Sequence, residues 1–143
     1  MKISINIDIS NEELKDLLGL HSKPVVREKD YISPYARFFD EDSAAWTKNP
    51  ESNKFFLLRQ QDYANEKLKQ RGYLFLNEVY DMLGLSRTGV GQIIGWVYDE
   101  SNPVGDNYVD FGLFRDCNRK FINGKEKSIL LDFNVDGDIL DHI

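Results

Sequence analysis

The sequence predicts one α+β domain, an antiparallel sheet with two or three helices packed on one face. Three observations carry that expectation. Residues 1–9 alternate apolar and polar, with Met1, Ile3, Ile5, Ile7 and Ile9 on one side, as a half-buried strand does. Between Asn53 and Leu83 the spacing turns helical and is punctuated by Gly72 and Gly84. The last third returns to strand-like runs separated by turn residues. A chain of 143 residues, 41% apolar and 13% aromatic, is long enough and apolar enough to bury a core without disulfides.

Each element has its own signal. Ser10 and Glu13 make a capping box ahead of Leu14, Leu17 and Leu18, and Gly19 stops that short helix, so residues 1–20 read as strand then helix. Residues 21–52 lose periodicity around Pro24, Pro34 and Pro50, yet they carry Tyr31, Tyr35, Phe38, Phe39 and Trp46. That is too many rings for a plain linker, and an ordered connecting arm is expected, its aromatics packed on the body or on a partner. Residues 53–143 form the α+β core. It opens with a helix from Asn53 to Arg71 bearing Phe55, Phe56, Leu58, Tyr63 and Leu68, followed by the short strand YLFL and a helix capped by Asn77 that runs to Leu83. QIIGWVY and NYVDFGLF are expected to pair as a hairpin across DESNPVGDN, and RDCNRKFINGK to make a helical turn. SILLDFNVD then completes the sheet, with Ile129, Leu131, Phe133 and Val135 on one face and Leu130, Asp132, Asn134 and Asp136 on the other.

Charge and cysteine content narrow the function classes. The net charge is -6, and from Val97 to Ile143 ten acids face five bases, so most of the imbalance sits in that segment. Such a surface repels phosphate backbones and makes nucleic acid an unfavourable partner. One cysteine, Cys117, cannot form an internal disulfide, which fits a reducing compartment. No apolar run approaches the roughly 18 residues of a membrane span, and the amino-terminal alternation is not that of a signal peptide. A cytoplasmic protein with no membrane partner is the expectation.

The closing stretch LLDFNVDGDILDHI places Asp132, Asn134, Asp136 and Gly137 at the spacing that opens a calcium loop. The bidentate glutamate such a loop needs at its twelfth position is replaced by Ile143, and no exiting helix follows, so a strand is the expected reading and no metal is assigned. Asp110 and Asp132 are expected to share a solvated sheet face. The segment EVYDMLGLSRTGVGQIIG resembles a helix-turn-helix unit, with Val79, Leu83, Gly84, Leu85, Val90 and Ile93 as its core and Arg87 and Thr88 at the start of a recognition helix. Against it stand Tyr80 at the helix crossing, three glycines in the second helix and a shortage of cations. His21, His142 and Cys117 lack partners for catalysis, and TGVGQIIG does not match a dinucleotide-binding loop, so no catalytic residue and no cofactor is expected.

The stretches RGYLFLNEVYDMLGLSRTGVGQIIGWVYDESNPVGDNYVDFG and EKSILLDFNVDGDIL resemble a family of small uncharacterised proteins, a domain of unknown function, from phages, prophages and other mobile elements of Gram-positive bacteria. The likeness runs from Phe55 to Leu140 and is not carried by the first 50 residues. It implies a phage or mobile-element setting and supplies no catalytic residues. By elimination the expectation is a non-enzymatic protein that binds another macromolecule, a host protein or a second copy of itself. One route is a basic host defence protein engaged by Asp99, Glu100, Asp106 and Asp110 on the hairpin. The alternatives are a structural or self-assembling accessory protein that forms homo-oligomers through Tyr31, Tyr35, Phe38, Phe39 and Trp46, and a DNA-binding protein acting through Arg87 and Thr88.

Overall fold

A computed structural model describes residues 32–143. The amino-terminal strand, the Ser10 capping box and Tyr31 lie outside them. The order of elements is β1 (Arg37–Phe39), α1 (Pro50–Arg71), β2 (Tyr73–Phe75), α2 (Leu76–Leu83), β3 (Ile94–Val97), α3 (Arg119–Ile122), β4 (Ile129–Leu131) and β5 (Gly137–Asp138). The fold is α+β with antiparallel sheets, as the sequence predicts. The strands form two small sheets: β1 pairs with β4, while β3 lies between β2 and β5.

Local signals explain where the helices start and stop. Asn49 caps α1 by accepting hydrogen bonds from the Glu51 and Ser52 N–H groups, and Pro50 occupies the first turn, where its missing N–H costs nothing. The helix therefore begins three residues before Asn53. It ends at Gly72 in the left-handed region, φ 90°. Helix α2 starts at Leu76 instead of after Asn77, because the Glu78 carboxylate reaches back to the Phe75 N–H at 2.9 Å. Glu78 also holds Arg71 and Lys67. Burial opposes its ionisation, but the Arg71 and Phe75 donors prevail and keep its carboxyl below the usual range.

The core gathers the inward faces of all these elements: Leu57, Ala64 and Leu68 of α1, Val79, Tyr80 and Leu83 of α2, Trp96 of β3, and Phe111, Phe121, Ile129, Leu131 and Phe133. Phe133 meets Phe111 and Tyr80 edge to face at 5.5 and 5.7 Å. Ile129, Leu131, Phe133 and Val135 point inward, as expected, but the strand itself ends at Leu131 and Leu130 is buried as well, so residues 132–136 do not complete a sheet.

The predicted hairpin does not form. Strand β3 has both edges occupied, by β2 and by β5, so NYVDFGLF cannot pair with it. That segment forms no strand, turning through positive φ at Asn107 and Gly112, and side chains complete the hydrogen bonding between them. Asn65 takes the Val109 N–H at 2.7 Å and gives to the Val109 carbonyl at 2.9 Å, and Gln61 accepts the Phe111 N–H at 2.8 Å. Asn118 does the same for β4, accepting from the Leu130 N–H at 3.1 Å and donating to its carbonyl at 2.8 Å.

The second helix of the supposed helix-turn-helix is also absent. Residues Val90–Gln92 make a single 3-10 turn that leads into β3. Asn77 clips the Thr88 N–H and C=O, and a Cβ at Gly91 would collide with that Asn77 amide. Gly95 is likewise forced, since a Cβ there would strike the Leu74 carbonyl oxygen of β2. Tyr80, too large for a helix crossing, is buried and donates its hydroxyl to the Tyr35 carbonyl at 3.0 Å.

Gly95→Ala is expected to lower unfolding free energy by about 3 kcal/mol, because backbone is what the methyl meets. Asn118→Ala is expected to cost about 2–4 kcal/mol by stranding both polar groups of buried Leu130. Urea titrations of the two variants check these values, and a loss below about 1 kcal/mol in either contradicts the packing described.

Candidate interaction surface

The loop from Tyr98 to Tyr108 is closed by one side chain. Asn107, at φ 63°, accepts the Asp99 N–H at 3.0 Å and donates to the Asp99 carbonyl at 3.2 Å. The Asp99 carboxylate then accepts from the Ser101 and Asn102 N–H groups, which fixes the turn. Glu100 accepts from the Tyr98 hydroxyl at 2.8 Å, and this bond raises the tyrosine's pKa.

Asn134 ties the loop to the body. Its amide oxygen accepts from Trp96 Nε1 at 2.9 Å and from the Asp110 N–H at 2.7 Å, and its nitrogen donates to Asp106 and to the Tyr108 carbonyl, both at 3.0 Å. All four hydrogen-bonding positions of the amide are used. Beside it, Asp136 accepts the Val97 N–H at 2.9 Å, and the Gly105 backbone lies against its carboxylate.

The chain end is drawn to the same place by β5, where Asp138 accepts the Leu140 N–H at 3.0 Å. Loop and chain end therefore present one surface, with Glu100, Asp106, Asp138 and Asp141 exposed beside the apolar side chains Val104, Tyr108, Leu140 and Ile143. Residues 97–114 hold four acids, residues 128–143 hold another four, and neither segment contains a lysine or arginine.

The acids are not all solvated as a sheet face would leave them. Asp132 is 9% exposed, paired with Arg115 at 2.7 Å and hydrogen-bonded to the Ser33 backbone and hydroxyl. It does not share a wet face with Asp110, whose carboxylate accepts the Gly112 N–H at 2.8 Å. The Asp-x-Asn-x-Asp-Gly spacing thus serves the fold: Asp132 anchors residues 33 and 115, Asn134 the loop, and Asp136 strand β3. Among the described residues no group of three His, Cys, Asp or Glu side chains is placed to hold a metal ion.

The aromatic arm packs on the body. Phe39 is fully buried and stacks on Phe56 at 5.7 Å, so it is withdrawn from any docking surface. Trp46 donates its indole N–H to the Lys127 carbonyl at 2.8 Å, and Tyr35 lies against the core, leaving Phe38 as the exposed ring of the described part of the arm. Phe38 lines a wide, shallow groove of about 590 Å³ with Arg37, Asp40, Ser43, Leu85 and Ser86. Arg37 crosses it to the Ser86 carbonyl and hydroxyl at 2.9 and 3.0 Å.

The two residues proposed for DNA contact each make a hydrogen bond within the chain. Arg87 is held by the Asp81 carboxylate through two donors, which lowers the Asp81 pKa, and Thr88 caps the turn by accepting the Gly91 N–H at 3.1 Å. Sequence reading missed the amides that build this surface, Asn107 and Asn134; their signal was present only as polar letters inside apolar runs. No helix among the described residues is long and apolar enough to cross a membrane.

The chain belongs to a family of unknown function, DUF6353. That family's model matches residues 3–143, so membership takes in the first 50 residues as well as the stretch from Phe55 to Leu140. No curated protein and no solved structure matches the chain.

Burial, with the nearby Asp106 charge, raises the Asp136 pKa although the Val97 N–H pulls the other way. A carboxyl raised in the folded state contributes stability while protonated and loses it as pH rises through its folded pKa. Asp136→Asn keeps an acceptor for Val97 and removes the charge. It is expected to raise the melting temperature at pH 7, with the gain closing as pH falls into the carboxylate range; thermal melts from pH 3 to 8 read this out, and a lower midpoint at pH 7 contradicts it.

Proposed function

We propose that this protein is not an enzyme and works by binding a basic macromolecule, a protein, through the acidic surface formed by the 98–108 loop and the chain end. The observation that supports this reading is the charge distribution. Glu100, Asp106, Asp138 and Asp141 are exposed in two segments that contain no lysine or arginine, the first of them a loop held by the Asn107 and Asn134 amides. A field of one sign steers a complementary partner and repels phosphate backbones. A pre-ordered loop pays less entropy on binding than a mobile one. Val104, Tyr108, Leu140 and Ile143 supply apolar contact among the acids, as interface cores require.

The setting we infer from the resemblance in residues 55–140 is a phage or mobile element of a Gram-positive bacterium, with the protein acting in the host cytoplasm. There the mechanism favoured by the charge is occupation of the nucleic-acid-binding surface of a basic host defence protein.

The test is capture from host lysate at about 50 mM and about 500 mM salt, followed by affinity measurement on the partner recovered. Binding is expected to weaken steeply with salt. Glu100→Lys combined with Asp141→Lys is expected to reduce affinity at least about tenfold without unfolding the protein. Capture that salt and both substitutions leave intact, or turnover of a nucleotide, sugar or peptide by the purified protein, sinks the proposal.

A further inference from the structure

The long helix α1 carries a second surface, unrelated to the acidic loop. Its inward side, Leu57, Ala64 and Leu68, is buried in the core, yet its outward side also bears rings. Phe55 and Tyr63 are 59% and 51% exposed. They share that side with exposed Arg59, Asp62 and Glu66. These positions recur every three or four residues and form one stripe along the helix. Arg59, Asp62 and Glu66 enter none of the ion pairs seen among the described residues, whereas Lys54, Lys67 and Arg71 on the flanks are paired within the chain. Among the described residues the stripe thus combines exposed aromatic area with charge of both signs that enters no ion pair.

The spacing of those charges names the occupant. Helix α1 runs from Pro50 to Arg71, 22 residues, so its midpoint falls between Gln60 and Gln61. The midpoint between Arg59 and Asp62 is the same point, and so is the midpoint between Phe55 and Glu66. A two-fold axis through that point lays a second α1 antiparallel to the first over its full length of about 33 Å. It brings Arg59 of each copy to Asp62 of the other, twice by symmetry. It also sets each Phe55 on the turn carrying Tyr63 and Glu66 of the second copy. The antiparallel arrangement opposes the helix dipoles favourably, and it places Ser52 and Glu51 near Lys69 of the other copy.

We propose that the outer stripe of α1 is a homodimer interface, with two copies of the chain packed antiparallel about an axis between Gln60 and Gln61. The surface is self-complementary in charge, which a surface meant for a strongly basic or acidic partner would not be. It also shifts self-association away from the arm rings Phe39, which is buried, and Trp46, which packs on the body, to rings exposed among the described residues.

Sedimentation equilibrium of the full chain tests the pairing. The wild-type protein is expected to be dimeric at about 100 μM, a micromolar association. Arg59→Asp, which sets four acids around the axis, is expected to weaken dimerisation at least about tenfold. The double variant Arg59→Asp with Asp62→Arg restores both ion pairs in reversed sense and is expected to recover the dimer. Circular dichroism establishes that each variant is folded, and Phe55→Glu serves as an independent monomerising change. A monomeric wild type at that concentration, a dimer indifferent to Arg59→Asp and Phe55→Glu, or a folded double variant that stays monomeric overturns the proposal. Capture of a basic partner is expected to survive Arg59→Asp, so the two surfaces stand or fall separately.

Discussion

The fold depends on asparagine side chains that stand in for strands. A primary amide presents one acceptor and two donors in the same plane, the pattern that a residue in a neighbouring strand offers. Four asparagines use it in that way, each closing on the N–H and C=O of a single distant residue: Asn65 on Val109, Asn77 on Thr88, Asn107 on Asp99 and Asn118 on Leu130. Asn53 adds a variant, taking the Thr47 N–H and giving to the Thr47 and Lys127 carbonyls. The described sheets are short, the longest strand having four residues, and they leave much extended backbone without a ladder. Buried polar backbone without a partner costs on the order of 1–3 kcal/mol per group. The amides remove that cost where no strand is available to do so.

This arrangement couples surface to core. Asn134 joins the indole of buried Trp96 to the backbone of the acidic loop and to the Asp106 carboxylate. The loop consequently holds its acids in fixed positions although it has no regular structure. Burial, with the Asp106 charge nearby, raises the pKa of Asp136 at the foot of this loop.

Much of the architecture was legible in the residues. Gly72 and Gly84 close α1 and α2 where expected, because left-handed backbone is a local requirement, whereas the Asn49 cap and Pro50 put the start of α1 three residues before the expected Asn53. The inward alternation of Ile129, Leu131, Phe133 and Val135 was equally plain. The hairpin was misread for a specific reason. Period-two alternation in Val109, Phe111 and Leu113 reports an extended chain with one side buried, and it is silent about what bonds the backbone. In the helix-turn-helix segment the apolar spacing matched, but Gly91 and Gly95 were required for close approach to Asn77 and Leu74 and not for a helix.

Composition and local chemistry by themselves determined the α+β class, the principal helices and the excess of acid toward the carboxyl end, since each rests on neighbours in sequence, whereas the strand expected over residues 128–136 is confined to Ile129–Leu131. Tertiary structure alone decided which strands pair, that Asp132 is buried against Arg115, that Phe39 and Trp46 face the body, and that two acidic segments separated by residues 115–127 meet on one surface. Those outcomes depend on contacts between residues far apart along the chain, where a single amide or glycine selects the partner and the pattern around it carries no trace of the choice.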